Sequence, residues 1–124
     1  FREPDGLAVS SRNRYLDDEE RARATCLARG LARAWAHWDD GERDADALVE
    51  AARREVLKVA EPKAIDYIEV VDPGSLDRLD GRDSATIEGG AVLAMAVHIG
   101  DARLIDNLRL DGPIPGALAD YVTG

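Results

Sequence analysis

Ser10, Ser11 and Arg12 stand together near the start of a 124-residue chain, behind Pro4, Gly6 and the apolar run Leu7-Ala8-Val9. Two hydroxyls and a guanidinium just ahead of a helix make an anion grip. Hydroxyls and free backbone N–H groups at a helix start donate to phosphate oxygens, and the helix dipole favours negative charge there. Arginine adds a permanently charged fork that fits a phosphate bidentately. Spacing alone leaves the ordinary alternative open, in which serine caps a helix and Arg12 is a solvated surface charge. No particular ligand follows from it.

The remaining chemistry is sparse. His37 and His98 are the only histidines and Cys26 the only cysteine, so no internal disulfide forms and no ligand spacing suggests a metal. Cys26 falls inside a helical pattern and reads as a small buried hydrophobe. There is no G-x-x-x-x-G-K-[ST] loop, no G-x-G-x-x-G and no Ser/His/Asp arrangement. Asp106-Asn107 lies on an expected strand, where bonding to neighbouring loops is at least as ordinary a role as a site, and neither residue is taken as a ligand.

The opening run Phe1 to Leu16, F-R-E-P-D-G-L-A-V-S-S-R-N-R-Y-L, resembles the segment that opens the C-terminal domain of the pantothenate synthetase (pantoate–β-alanine ligase) family. The likeness runs through Arg2, Glu3, Asp5, Gly6, Leu7, Ala8, Ser10, Ser11, Arg12, Asn13, Tyr15 and Leu16. Ile65-Asp66-Tyr67-Ile68-Glu69 and Arg103-Leu104-Ile105-Asp106-Asn107 extend it to about Leu110.

That resemblance implies an ATP-dependent ligase. Pantoate carboxylate attacks the α-phosphate of ATP, giving pantoyl adenylate and pyrophosphate, and the β-alanine amine then displaces AMP. It implies ATP contacts at Phe1, Val9, Ser10, Ser11 and Arg12, with Arg12 and Ser11 as the catalytic pair. Phe1 stands where the family usually has valine. Mg²⁺ accompanies ATP, and no metal ligand is assigned in this chain. The family's H-x-G-H signature and pantoate pocket belong to a preceding Rossmann-like domain, and nothing like H-x-G-H occurs here. The resemblance therefore implies a C-terminal lid domain over residues 1–110 with a tail over 111–124. Such a lid is inactive alone, in an enzyme that is a homodimer. The alternative is a stand-alone interaction or nucleotide-binding module that keeps the fold without the ligase.

Composition fits a soluble globular chain, with 45% hydrophobic and 33% charged residues. A net charge of −9 argues against general nucleic-acid binding and against an anionic membrane surface. No apolar run approaches the ~18 residues of a membrane span, so the cytoplasm is the expected compartment.

Elements able to position the opening stretch follow directly. A first helix is predicted from Asp17 to about Gly41. Asp17 and Glu20 have capping-box spacing, and Ala24, Leu27, Ala28, Leu31, Ala34, Trp35 and Trp38 form its apolar stripe. The two tryptophans are expected in the core rather than as a stacking platform. A second helix is predicted from Asp44 to Ala60, with Asp44 as its N-cap. Strands are predicted over 64–72, 91–99 and 102–110. Gly100-Asp101 is the two-residue turn between the last two, and the nearly all-apolar second strand needs cover or small-residue packing on both faces. Leu76 and Leu79 suggest one short helical turn, and Ala117 to Val122 at most another. The expected class is α+β, a small, mainly antiparallel three-stranded sheet with two helices packed on one face.

Overall fold

The first long helix begins with three acids and ends at a glycine, and both ends are built as helix physics requires. In the computed structural model, which describes residues 18–79, 87, 89–100 and 102–122, α1 spans Asp18–Asp39. Asp18, Glu19 and Glu20 occupy its first turn, where the positive end of the dipole favours them. At the other end Gly41 adopts φ +104°. Its N–H donates to Trp38 O at 3.0 Å, and the Glu42 N–H donates to His37 O at 2.9 Å. These paired bonds satisfy carbonyls the helix leaves unpaired, and they need the left-handed backbone that glycine adopts freely. Arg43 completes the cap. Its guanidinium lies 3.7 Å from the centre of the Trp38 ring and donates to Trp38 O at 2.7 Å.

The helix α2 spans Ala45–Leu57, and the Asp44 carboxylate accepts from the Asp46 N–H at 3.0 Å as its N-cap. It stops three residues short of the predicted Ala60. The Val59 N–H turns back to Val56 O at 3.2 Å and Ala60 N–H to the same oxygen at 2.9 Å, so the last turn tightens. Helices α1 and α2 cross closely at Gly30, where a Cβ would lie 3.1 Å from Ala52 O.

Strands β1 (Ile65–Val71), β2 (Val92–Ile99) and β3 (Ala102–Arg109) form one antiparallel sheet in the order β1-β2-β3. The α+β class and the two helices against one sheet face are as the sequence predicts. On that face Ile68, Val70, Leu93, Met95, Val97, Ile99, Leu104 and Leu108 join Leu27, Leu31, Leu48 and Val56 in one core. β2 solves its two-sided problem with small residues: Ala94 and Ala96 occupy the other face, and Ala96 is fully buried. Trp38 is buried, and Trp35 packs against the same core.

Two segments differ from expectation. The predicted helical turn at Leu76–Leu79 is instead an extended return. Asp72 accepts from the Gly74 and Ser75 N–H groups at 2.8 and 3.0 Å and bends the chain. Leu76 then takes φ +64°, and the Leu79 N–H donates to Val70 O at 2.7 Å, alongside β1. The second difference is at the end of the chain. Gly116–Val122 forms a helix, α3, rather than a bare turn. Ile114, Leu118, Tyr121 and Val122 recur at helical spacing and pack on the core, with Leu118 fully buried.

Candidate functional site

The residues expected to grip ATP phosphates, Phe1, Val9, Ser10, Ser11 and Arg12, lie outside the described residues. What the described structure supplies is the platform into which that stretch runs. Helix α1 begins at Asp18, six positions after Arg12. Its first turn lies against the β2–β3 hairpin, where the Glu20 carboxylate fills the space beside the Gly100 Cα. Gly100 has φ +58°, the left-handed geometry that a two-residue hairpin turn requires.

Beside that hairpin, on the sheet face opposite the helices, one cluster ties the three strands together. The Asp66 carboxylate of β1 accepts from Arg103 Nε of β3. Its other oxygen lies 3.1 Å from His98 Nε2 of β2. Two features of the backbone bring them together. The two-residue turn forces the register, pairing His98 with Arg103. A bulge between Ile65 and Tyr67 lets Ile65 oppose Val97 and Tyr67 oppose Ala96, which leaves Asp66 as the extra residue of β1.

The electrostatics of the cluster follow from this geometry. The Arg103 hydrogen bond holds the Asp66 carboxyl below its ordinary value. Partial desolvation opposes that shift, and the His98 contact adds to it. In return Asp66 raises the Arg103 guanidinium further. A carboxylate orienting an imidazole is an arrangement that acid–base sites also use. Here the three side chains are 35–46% exposed, so solvent screens the charges, and the contact links side chains that the strand register has already brought together.

Sequence reasoning passed over this cluster and placed His98 only at a strand end. The hairpin register alone would have set His98 opposite Arg103. Asp106 is one of two buried polar residues on the described chain; its Oδ1 accepts the Asn107 N–H at 2.8 Å. Cys26 is buried, and burial pushes its thiol up to about 11. Among the described residues no three His, Cys, Asp or Glu side chains gather to hold a metal ion. Among them, too, no helix is long and apolar enough to cross a membrane.

With this frame in place, the likeness seen in isolated motifs extends across the chain. The family model described as pantoate-beta-alanine ligase matches residues 1–109. The chain belongs to the pantoate-beta-alanine ligase family. It is 47% identical over 109 residues to pantothenate synthetase 1 of Bradyrhizobium diazoefficiens, a match covering 88% of this chain and 36% of that protein. It is 46% identical over 123 residues to the bifunctional pantoate ligase/cytidylate kinase of Synechococcus elongatus, covering 99% of this chain and 22% of the relative. The crystal structure of the Thermus thermophilus pantothenate synthetase superposes with a TM-score of 0.76 at 34% identity, over 89% of this chain and 37% of that one. The chain thus spans little more than a third of the length of the pantothenate synthetases it matches. The stretch matched by the pantoate-beta-alanine ligase model stops before α3, whereas the Synechococcus elongatus match takes in 123 of the 124 residues.

Proposed function

We propose that this chain is the C-terminal lid of a pantoate–β-alanine ligase and supplies contacts to the phosphates of ATP. One observation carries the proposal. The family match begins at residue 1 and runs through Phe1, Val9, Ser10, Ser11 and Arg12, the stretch whose residue types suit a phosphate grip. The lid comprises residues 1–110, and the following segment packs α3 onto it. The relatives' greater length leaves room for a preceding Rossmann-like domain bearing H-x-G-H and the pantoate pocket.

In the proposed reaction the pantoate carboxylate attacks the α-phosphorus of ATP and pyrophosphate leaves. The β-alanine amine then attacks the acyl carbon of pantoyl adenylate, AMP leaves and pantothenate is formed. Arg12 acts as the electrostatic clamp on the phosphates while charge redistributes toward the leaving pyrophosphate. Ser11 and Ser10 orient phosphate oxygens by hydrogen bonding, and Val9 and Phe1 approach the nucleotide through backbone or packing. Mg²⁺ enters bound to ATP, and no residue of this chain is assigned to hold it. Closure of the lid excludes water from the mixed anhydride. Helix α1, whose first turn lies against the hairpin at Glu20 and Gly100, follows the grip in the chain. We place the enzyme in the cytoplasm, acting as a homodimer built chiefly through the preceding domain.

The test is Arg12→Ala in the full-length ligase, with pantoyl adenylate formation and β-alanine transfer followed separately. The expected result is a loss of about 10²–10³-fold in adenylate formation, the range for removing a charge-stabilising donor. Unchanged adenylate formation would remove Arg12 from the mechanism. The 124-residue chain alone should form no pantothenate; turnover by it would overturn the lid assignment.

A further inference from the structure

Helices α1, α2 and α3 border a half-open cleft of about 370 Å³ lined by three cations and one carboxylate. Arg29 and Arg33 line it from α1, one turn apart. Glu55 of α2 and its C-cap Lys58 line a second side, and Tyr121 of α3 a third. Three cations meet one carboxylate there, in a protein whose net charge is −9.

Two of the exposed cations of this cleft are organised by one carboxylate at its base. Glu55 is largely buried, with its side chain 14% exposed, and it lies 3.7 Å from Arg33 Nε and 3.0 Å from Lys58 Nζ. One carboxylate therefore holds two cationic heads at the cavity wall. Arg33 is fixed again by donating to Val122 O of α3 at 3.4 Å. The Arg29 guanidinium stacks over the Tyr121 ring at 5.7 Å and has no carboxylate partner among the described residues. Arg33 also lines an adjoining cavity of about 260 Å³ with His37 and Val122, so the polar surface continues along α1 and α3.

We propose that this cavity binds a small, multiply charged anion of the phosphoryl class, a phosphomonoester or pyrophosphate. Two guanidinium forks from α1 face one ammonium from α2 across the cleft, with the Tyr121 ring on the third side, and together they suit tetrahedral oxyanions. The two net positive charges match a dianion, and arginine forks favour phosphoryl oxygens by paired, charge-assisted hydrogen bonds. The site uses none of the residues assigned to the ATP grip. One of its walls is α3, beyond the stretch that the family model matches, and its occupant joins α3 to α1 and α2.

The experiment is an amide-resolved NMR titration of the 124-residue chain with inorganic pyrophosphate, inorganic phosphate and citrate at low ionic strength. It is repeated on Arg29→Gln/Lys58→Gln and on Arg12→Ala. The expected result is saturable shifts at residues 29, 33, 55, 58 and 121 with pyrophosphate. In the Arg29→Gln/Lys58→Gln variant the affinity falls about tenfold or more, in keeping with lost hydrogen bonds between charged groups, while in Arg12→Ala it is unchanged. Both substituted side chains are exposed, and an unchanged thermal midpoint shows that the fold is kept. No saturable shift at these residues at millimolar pyrophosphate would overturn the proposal, as would shifts lost in Arg12→Ala and retained in the double variant. Citrate binding as tightly as pyrophosphate would overturn the phosphoryl class.

Discussion

The Glu20 carboxylate occupies the space that a Cβ on Gly100 would need. Gly100 also sits at φ +58°, so alanine there meets two penalties of different origin. The left-handed backbone costs an L-residue about 1–2 kcal/mol, and the Glu20 side chain must move. Gly100→Ala is therefore expected to lower the unfolding free energy in urea by more than ~1 kcal/mol. Adding Glu20→Ala should remove the steric part and leave the backbone part, a coupling that a double-mutant cycle reads directly. A Gly100→Ala variant as stable as the parent would mean the turn is not built this way.

The Asp66 cluster sets an acid limit on the sheet. Arg103 holds the folded-state carboxyl of Asp66 below its ordinary value of 3.8. The unfolded chain therefore binds the proton more readily, and stability rises with pH across this interval. The contribution is fully present above the ordinary carboxylate value and is lost as pH falls through the lowered one. Urea midpoints from about pH 7 down to about pH 3 should fall less steeply in Asp66→Asn than in the parent. Some acid dependence should persist, because backbone N–H groups lower Asp72 and Arg109 lowers Asp111 in the same direction. Parallel curves for the two proteins would show that the cluster contributes nothing to linkage.

Much of this architecture is legible in the sequence because it rests on local rules. Asp44 as N-cap, Gly41 as helix stop, the tryptophans in the core and the left-handed Gly100 between β2 and β3 are each set within a few residues; Asp101, the other expected turn residue, lies outside the described residues. What the sequence hides is non-local or irregular. The bulge at Asp66 breaks the simple alternation of β1, so a residue that reads as one more strand position becomes the link to His98 and Arg103. Asp72 turns Leu76 into a left-handed position, which no leucine spacing announces. Helix α3 is too short to stand on propensity and forms because Leu118 finds a place on α1. The ATP-grip expectation at Phe1, Val9, Ser10, Ser11 and Arg12 rests on the family resemblance, since hydroxyls beside an arginine specify no ligand, and it lies outside the described residues.

Cys26 should be chemically silent in the folded chain. It is 1% exposed, and burial raises its thiol to about 11, so the reactive thiolate is scarce at neutral pH. Alkylation by iodoacetamide should be slow under native conditions and should accelerate in urea along the same transition as unfolding. Rapid native labelling would place Cys26 at an opening of α1 rather than in its core.

Helix α3 is expected to unfold with the body of the protein rather than before it. Leu118 is fully buried in the common core, and Trp35 Nε1 donates to Gly112 O at 2.9 Å just ahead of the helix. Leu118→Ala removes apolar contacts at a packed site and should cost about 2–5 kcal/mol. Trp35→Phe keeps most of the ring but leaves the Gly112 carbonyl without that donor, so it should cost about 1 kcal/mol. Hydrogen exchange separates a core helix from a docked appendage. If α3 belongs to the core, amides of residues 118–122 exchange with the same free energy as those of α1, and Leu118→Ala lowers both together. If α3 merely rests on α1, its amides exchange by local opening, and Leu118→Ala frees them while leaving the protection of α1 intact.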